Sequence, residues 1–163
     1  MELSFERRFN MKARTIVNDI YEVGIRDWTL HDFHGFATPR GVTYNSFLIM
    51  DEKICLIDGV KAPFAGEQLS NIRTIVDPEK IDYIVVNHVE PDHSGSLPAL
   101  AQACPHATFL ITVQGANELK EHYGDIFKTQ IVKKGDTVSL GKRTLAFQPI
   151  PMLHWPDSMV TYC

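Results

Sequence analysis

The sequence predicts an α/β (α+β) protein in which sheets are stacked as a sandwich and faced by helices. Apolar runs of strand length outnumber runs with helical period, and tight polar turns such as Asp51-Glu52-Lys53 join neighbouring runs. A chain of 163 residues with 44% hydrophobic content fills one core but hardly two independent domains.

Residues 1–12 show no period and read as an N-terminal extension. Ile16, Val17, Ile20, Tyr21 and Val23 predict short early strands ending at Gly24. Tyr44 to Met50 reads as one strand, which Asp51-Glu52-Lys53 turns into a hairpin partner at Ile54 to Ile57. After Asp58-Gly59, Pro63 opens a helix with Leu69, Ile72 and Val76 on one face, stopped by Asp77-Pro78. Ile81 to Val86 forms a buried strand. Ser96 then caps a helix that carries Pro98 in its first turn. A strand at Thr108 to Thr112 and a helix at about Gln114 to Tyr123 follow. Strands at Ile131 to Val132, Thr137 to Leu140 and Thr144 to Ile150 come next. A last apolar alternation, Met159 to Cys163, reads as a strand whose partners should still be to come.

The chemistry concentrates in Asn87-His88-Val89-Glu90-Pro91-Asp92-His93, directly after the buried strand. Four metal-ligand side chains fall within six consecutive positions. An irregular turn at a strand end can aim neighbouring side chains at one point, and a bound cation holds together carboxylates that otherwise repel. The alternative is a solvated turn, since Asp, His and Pro are common turn residues. Imidazoles suit several transition metals, and added carboxylates shift preference toward iron or manganese.

The His-x-Glu-x-Asp-His pattern resembles that of the metallo-β-lactamase fold superfamily in its flavodiiron branch, the A-type flavoproteins of the rubredoxin:oxygen oxidoreductase kind. The run Met152-Leu153-His154-Trp155-Pro156-Asp157-Ser158-Met159 resembles the same family's third histidine segment. Asp32-Phe33-His34-Gly35, Thr43-Tyr44-Asn45 and Leu140-Gly141-Lys142-Arg143 extend the likeness from about Ile16 to the last residue. The resemblance implies a metallo-β-lactamase-like αββα sandwich, C-terminally incomplete, with residues 13–163 the first part of a diiron domain. It implies that His88, Glu90 and His154 bind one iron, and Asp92 and His93 the other. Glu90 stands where the resembling hydrolases usually place histidine and hold zinc, and an anionic ligand favours a centre cycling between ferrous and ferric iron. No catalytic residue is expected beyond the ligands.

By the same resemblance, His34 is a group beside the irons or a structural turn histidine, and Trp155 packs locally or faces the FMN of a partner subunit. Asp157 lies too close to His154 to be assigned as the family's bridging carboxylate. The implied activity is reduction of dioxygen to water or of nitric oxide to N2O, with electrons from FMN and a rubredoxin-like donor in a head-to-tail homodimer. The flavodoxin-like FMN domain is absent, so the chain reads as a fragment, a truncated gene product or half of a split protein. A non-catalytic metal-binding or dimerising module is the other class of reading. A zinc-dependent hydrolase is disfavoured by Glu90.

Other classes fall away on composition and motif. A net charge of -4 and scattered Lys and Arg argue against nucleic acid and anionic membrane as partners. No dinucleotide fingerprint, phosphate loop or nucleophile elbow is present. Cys55, Cys104 and Cys163 form no Cys-x-x-Cys pair, and Cys55 reads as a packed small hydrophobe in a reducing compartment. Met1 to Met11 is charged rather than signal-like, which predicts a cytoplasmic location. His106 and His122 read as solvated surface residues.

Overall fold

The computed structural model describes residues 13–163; the expected extension at 1–12 lies outside the described residues. Fourteen strands and four α-helices follow one another. The chain opens with β1 (Arg14–Val17), β2 (Ile20–Glu22), β3 (Ile25–Asp27), β4 (Asp32–Phe33), β5 (Phe36–Ala37), β6 (Val42–Tyr44), β7 (Phe47–Ile49) and β8 (Cys55–Ile57). Next come α1 (Ala65–Arg73), β9 (Tyr83–Val85), α2 (Pro91–Ser94), α3 (Leu97–Ala103), β10 (Thr108–Ile111) and α4 (Val113–Tyr123). The chain closes with β11 (Thr129–Ile131), β12 (Thr137–Ser139), β13 (Thr144–Pro149) and β14 (Met159–Tyr162).

Seven strands form a mixed sheet in the order β1-β2-β7-β8-β9-β10-β11, and β12-β13-β14 form a second, antiparallel sheet. Within the large sheet β8, β9, β10 and β11 run parallel, while β1, β2, β7 and β8 are joined antiparallel. Period-2 alternation divides its side chains between two cores. Leu48, Leu56, Ile84, Val86, Phe109 and Ile111 meet Leu69 and Ile72 of α1, Leu97 and Leu100 of α3 and Leu119 of α4. Their neighbours Ile49, Cys55, Val85 and Leu110 face the other way, onto Leu140, Leu145, Phe147 and Met159 beside the second sheet. The described residues therefore stack as helices, sheet and sheet. The outer helical layer that would complete an αββα sandwich is not among them.

Local chemistry explains the boundaries. Thr112 caps α4 by accepting the Gly115 N–H at 3.0 Å, and Gly124, with φ 81°, follows its last turn. Asp77 accepts the Glu79 N–H at 3.2 Å and holds a short 3-10 turn, Pro78–Lys80.

Several expected elements are corrected. The run from Tyr44 to Met50 is two strands, because Asn45-Ser46 leaves the β3–β6 ribbon and enters the large sheet. Ser46 is buried there and donates its hydroxyl to the Asp58 carbonyl at 2.8 Å. The helix after Pro63 begins as a 3-10 turn, and α1 stops at Arg73, so Val76 packs on the core from beyond the helix end. Ser96 does occupy an N-cap position but caps nothing with its side chain. Its hydroxyl donates to Gln68 Oε1 at 2.7 Å and accepts the Val60 N–H at 2.8 Å. The strand placed at Ile131 to Val132 is β11, which starts earlier to pair with Phe109 to Ile111. Cys55 is fully buried, as expected.

Candidate metal centre

Parallel strands β8 and β9 end side by side, and the loops leaving them build the floor of the site. At the end of β9, Val86 to Glu90 delivers His88 and Glu90. The turn expected to carry the ligands is in part the one-turn helix α2, opened by Pro91 and bearing Asp92 and His93. The loop between β13 and β14 brings His154 from across the second sheet.

Three of the expected ligands converge most closely: one donor atom each from His88, Glu90 and His154 lie within 4.8 Å of one another. Glu90 Oε2 lies 3.1 Å from His88 Nε2 and 3.2 Å from His154 Nε2. Its other oxygen, Oε1, accepts from His34 Nε2 at 3.1 Å, which places His34 directly against a candidate ligand. His93 stands beside them, with its ring 5.3 Å from that of His88 and its Nε2 3.7 Å from Asp92 Oδ2. Trp155 packs edge-on against His88 at 5.3 Å.

Two carboxylates to which the sequence assigns no role at the site lie behind the imidazoles. Asp157 is 1% exposed. It accepts the His88 Nδ1–H at 2.9 Å and the Val89 N–H at 2.7 Å through Oδ2. Asp58, read from sequence as a turn residue, accepts the Asn87 N–H at 2.7 Å and sits 3.7 Å from His93 Nδ1. The available signal was general: a metal-ligating histidine nearly always donates its other N–H to an oxygen. Of the four non-glycine residues with positive φ among the described residues, His34 and Asp58 touch site residues and Met152 lies in the loop that carries His154. Left-handed backbone costs on the order of 1 kcal/mol per residue and clusters where geometry is held for function.

The protonation pattern follows from these partners. Burial opposes a charged His88, but hydrogen bonds to Asp157 and Glu90 outweigh it and raise its pKa. Burial likewise opposes ionisation of Glu90 and Asp157, and the imidazole hydrogen bonds hold both below the ordinary carboxylate range. His93 is raised by Asp58 against its own burial. One more observation fits a cation: the buried Oδ1 of Asp92 has no hydrogen-bond partner. An acidic, imidazole-rich donor set of this kind suits iron or manganese.

Residues 42–163 match the family described as ODP family beta lactamase. The chain belongs to that family. Within it, this ODP-family chain is 51% identical over 150 residues to the nitric oxide reductase of Moorella thermoacetica, an alignment covering 90% of this chain and 38% of that protein. It is 49% identical over 155 residues to the rubredoxin-oxygen oxidoreductase of Megalodesulfovibrio gigas, covering 93% of this chain and 38% of that one. The solved flavodiiron protein of Giardia intestinalis superposes with a TM-score of 0.90 at 44% identity, over 94% of this chain and 38% of that chain. The ODP-family chain therefore spans 38% of the length of these relatives. These likenesses agree with the metallo-β-lactamase-like fold expected from the sequence. Among the described residues, no helix is long and apolar enough to cross a membrane.

Proposed function

We propose that residues 13–163 form the metal-binding part of a diiron reductase of dioxygen or nitric oxide. Glu90 carries this reading, because with His88 and His154 on one of its oxygens it makes the two-histidine, one-carboxylate set of non-haem iron, with the further donors Asp92 and His93 beside it. His88, Glu90 and His154 would hold one iron, and Asp92 and His93 would contribute to the other. When bound, the two irons would supply the electrons for reduction of a diatomic substrate.

The chain's own residues set the surroundings of that chemistry. His34 ties down the outer oxygen of Glu90, so the carboxylate keeps one orientation. Trp155 packs edge-on against the His88 ring and limits how it can tilt. The loop between β13 and β14 exposes Met152 and Leu153, an apolar rim for the FMN of a second subunit in a head-to-tail homodimer. FMN and a rubredoxin-type donor feed the electrons, in a cytoplasmic setting.

The test is a chimera in which this chain replaces the matching segment of the Moorella thermoacetica nitric oxide reductase. The expected result is iron-dependent uptake of nitric oxide or dioxygen, abolished by Glu90→Gln and by His88→Ala. A folded, iron-loaded chimera that consumes neither gas overturns the proposal.

A further inference from the structure

We propose that Asp157 is a positioning residue for the metal centre, fixing His88 as the Nδ1–H tautomer so that Nε2 is the atom offered to a metal. The inference rests on the functional reading only in placing a metal at His88. Asp157 is not among the ligands assigned from the sequence. It acts at Nδ1, whereas Glu90 meets Nε2.

Both ring nitrogens face a carboxylate, but Asp157 meets Nδ1 with two oxygens, whereas the one Glu90 oxygen near Nε2 is shared with His154. Both Asp157 oxygens face His88 Nδ1, at 2.9 and 3.0 Å, and a carboxylate can only accept. Oδ2 also takes the Val89 N–H at 2.7 Å, which fixes the carboxylate against the backbone next to the ligand. His88 and Asp157 are both buried, so water does not offer either group a replacement. At the other side of the ring, Nε2 points toward Glu90 and His154.

Asp157 also joins two ligands that come from distant parts of the chain. It lies three positions after His154, and its own carbonyl accepts the Thr112 hydroxyl at 3.0 Å. Thr112 is the N-cap of α4. The loop carrying His154 is thereby anchored to His88 by the Asp157 side chain and to α4 by its backbone. The two attachments separate by mutation: Asp157→Asn alters the first and leaves the carbonyl for the second, whereas Thr112→Ala removes the second together with the α4 cap on Gly115.

The experiment uses the whole chain with Co(II) as the probe, together with 15N–1H correlation spectra of the histidine rings at a pH where His88 is neutral. The wild-type spectrum is expected to show His88 protonated at Nδ1. In Asp157→Asn an amide N–H can be turned toward the ring, which admits the Nε2–H tautomer and blocks the ligand atom. Co(II) affinity should then fall 10- to 100-fold, the size found for loss of such partners. Thr112→Ala should weaken thermal stability and leave the His88 tautomer unchanged. An Nε2–H tautomer in the wild-type chain overturns the proposal, and so does an Asp157→Asn chain that keeps Nδ1–H and binds Co(II) within twofold of wild type. If Asp157→Asn does not fold, the wild-type spectrum alone decides. Failure of the gas-uptake chimera would leave these results standing, since neither readout involves dioxygen or nitric oxide.

Discussion

Adding one methyl group at Gly59 should loosen the floor of the site. Gly59 follows β8 and donates its N–H to the His93 carbonyl at 2.9 Å. A Cβ there would lie 2.7 Å from that carbonyl oxygen, 2.6 Å from Ser96 Oγ and 3.1 Å from Leu97 Cδ2. The first contact is 0.7 Å short of the 3.4 Å at which ordinary contact begins. Neither oxygen can step aside cheaply, since one is backbone and the other is buried and bonded to Gln68 and Val60. Relief must move α2, and Asp92 and His93 with it. Overpacking of this kind costs about 1–3 kcal/mol, against a gain of about 0.4–1 kcal/mol from a stiffer unfolded chain. The expected net loss of about 1–2 kcal/mol lowers the urea midpoint by about 0.5–1 M at an m-value of about 2 kcal/mol/M. Circular dichroism during urea unfolding reads it directly. Gly66→Ala in α1, where an added Cβ meets nothing within 4 Å, should instead stabilise by about 0.5–1 kcal/mol. A Gly59→Ala midpoint equal to or above wild type would refute the close apposition of β8 and α2.

Three other outcomes are expected. Glu90→His should move metal preference from iron toward zinc, measured by metal analysis after growth with both, and an unchanged iron preference counts against Glu90 as selector. A thiol-reactive dye should label Cys163 quickly and leave the native chain's Cys55 and Cys104 unlabelled, because both are buried and burial pushes the Cys104 thiol up to about 12; fast labelling of three thiols would mean that the core opens. Burial favours the neutral form of Asp27, but hydrogen bonds from Thr29 and Tyr44 outweigh it and hold its pKa below the ordinary value. Its stabilising contribution is therefore complete above the ordinary carboxylate pKa and lost as pH falls through the lowered one. The stability difference between wild type and Asp27→Asn should shrink over that acid range, and a difference that grows there would reverse the assignment.

The parts of this molecule that were legible in sequence are those whose signal is local. The hairpin of β7 and β8 announces itself through Leu48, Ile49, Cys55 and Leu56 around a three-residue polar turn. The ligand run from His88 to His93 is dense enough to be read as a site, and His154 has its own recognisable segment. What escaped is held by contacts distant in sequence. The ribbons β3–β6 and β4–β5 have too few residues to display a period. The break at Asn45-Ser46 depends on a hydrogen bond to Asp58 that no neighbour reveals. Asp157 was weighed only as a bridging ligand, because its pairing with His88 spans 69 positions and becomes visible only when the second sheet is folded over the first.

The central claim, that His88, Glu90 and His154 form a metal position, is tested most directly by anaerobic reconstitution of the 163-residue chain with ferrous iron, followed by desalting and iron quantification. Within this chain the five proposed ligands divide into three and two, and two protein ligands seldom retain a divalent ion beside another of like charge. At most one weakly held iron per chain is expected, lost in Glu90→Ala and in His154→Ala, with no sustained gas uptake by the chain alone. Two retained irons would show that a neighbouring copy or an unassigned residue completes the second position, and retention undiminished by both substitutions would contradict the claim outright.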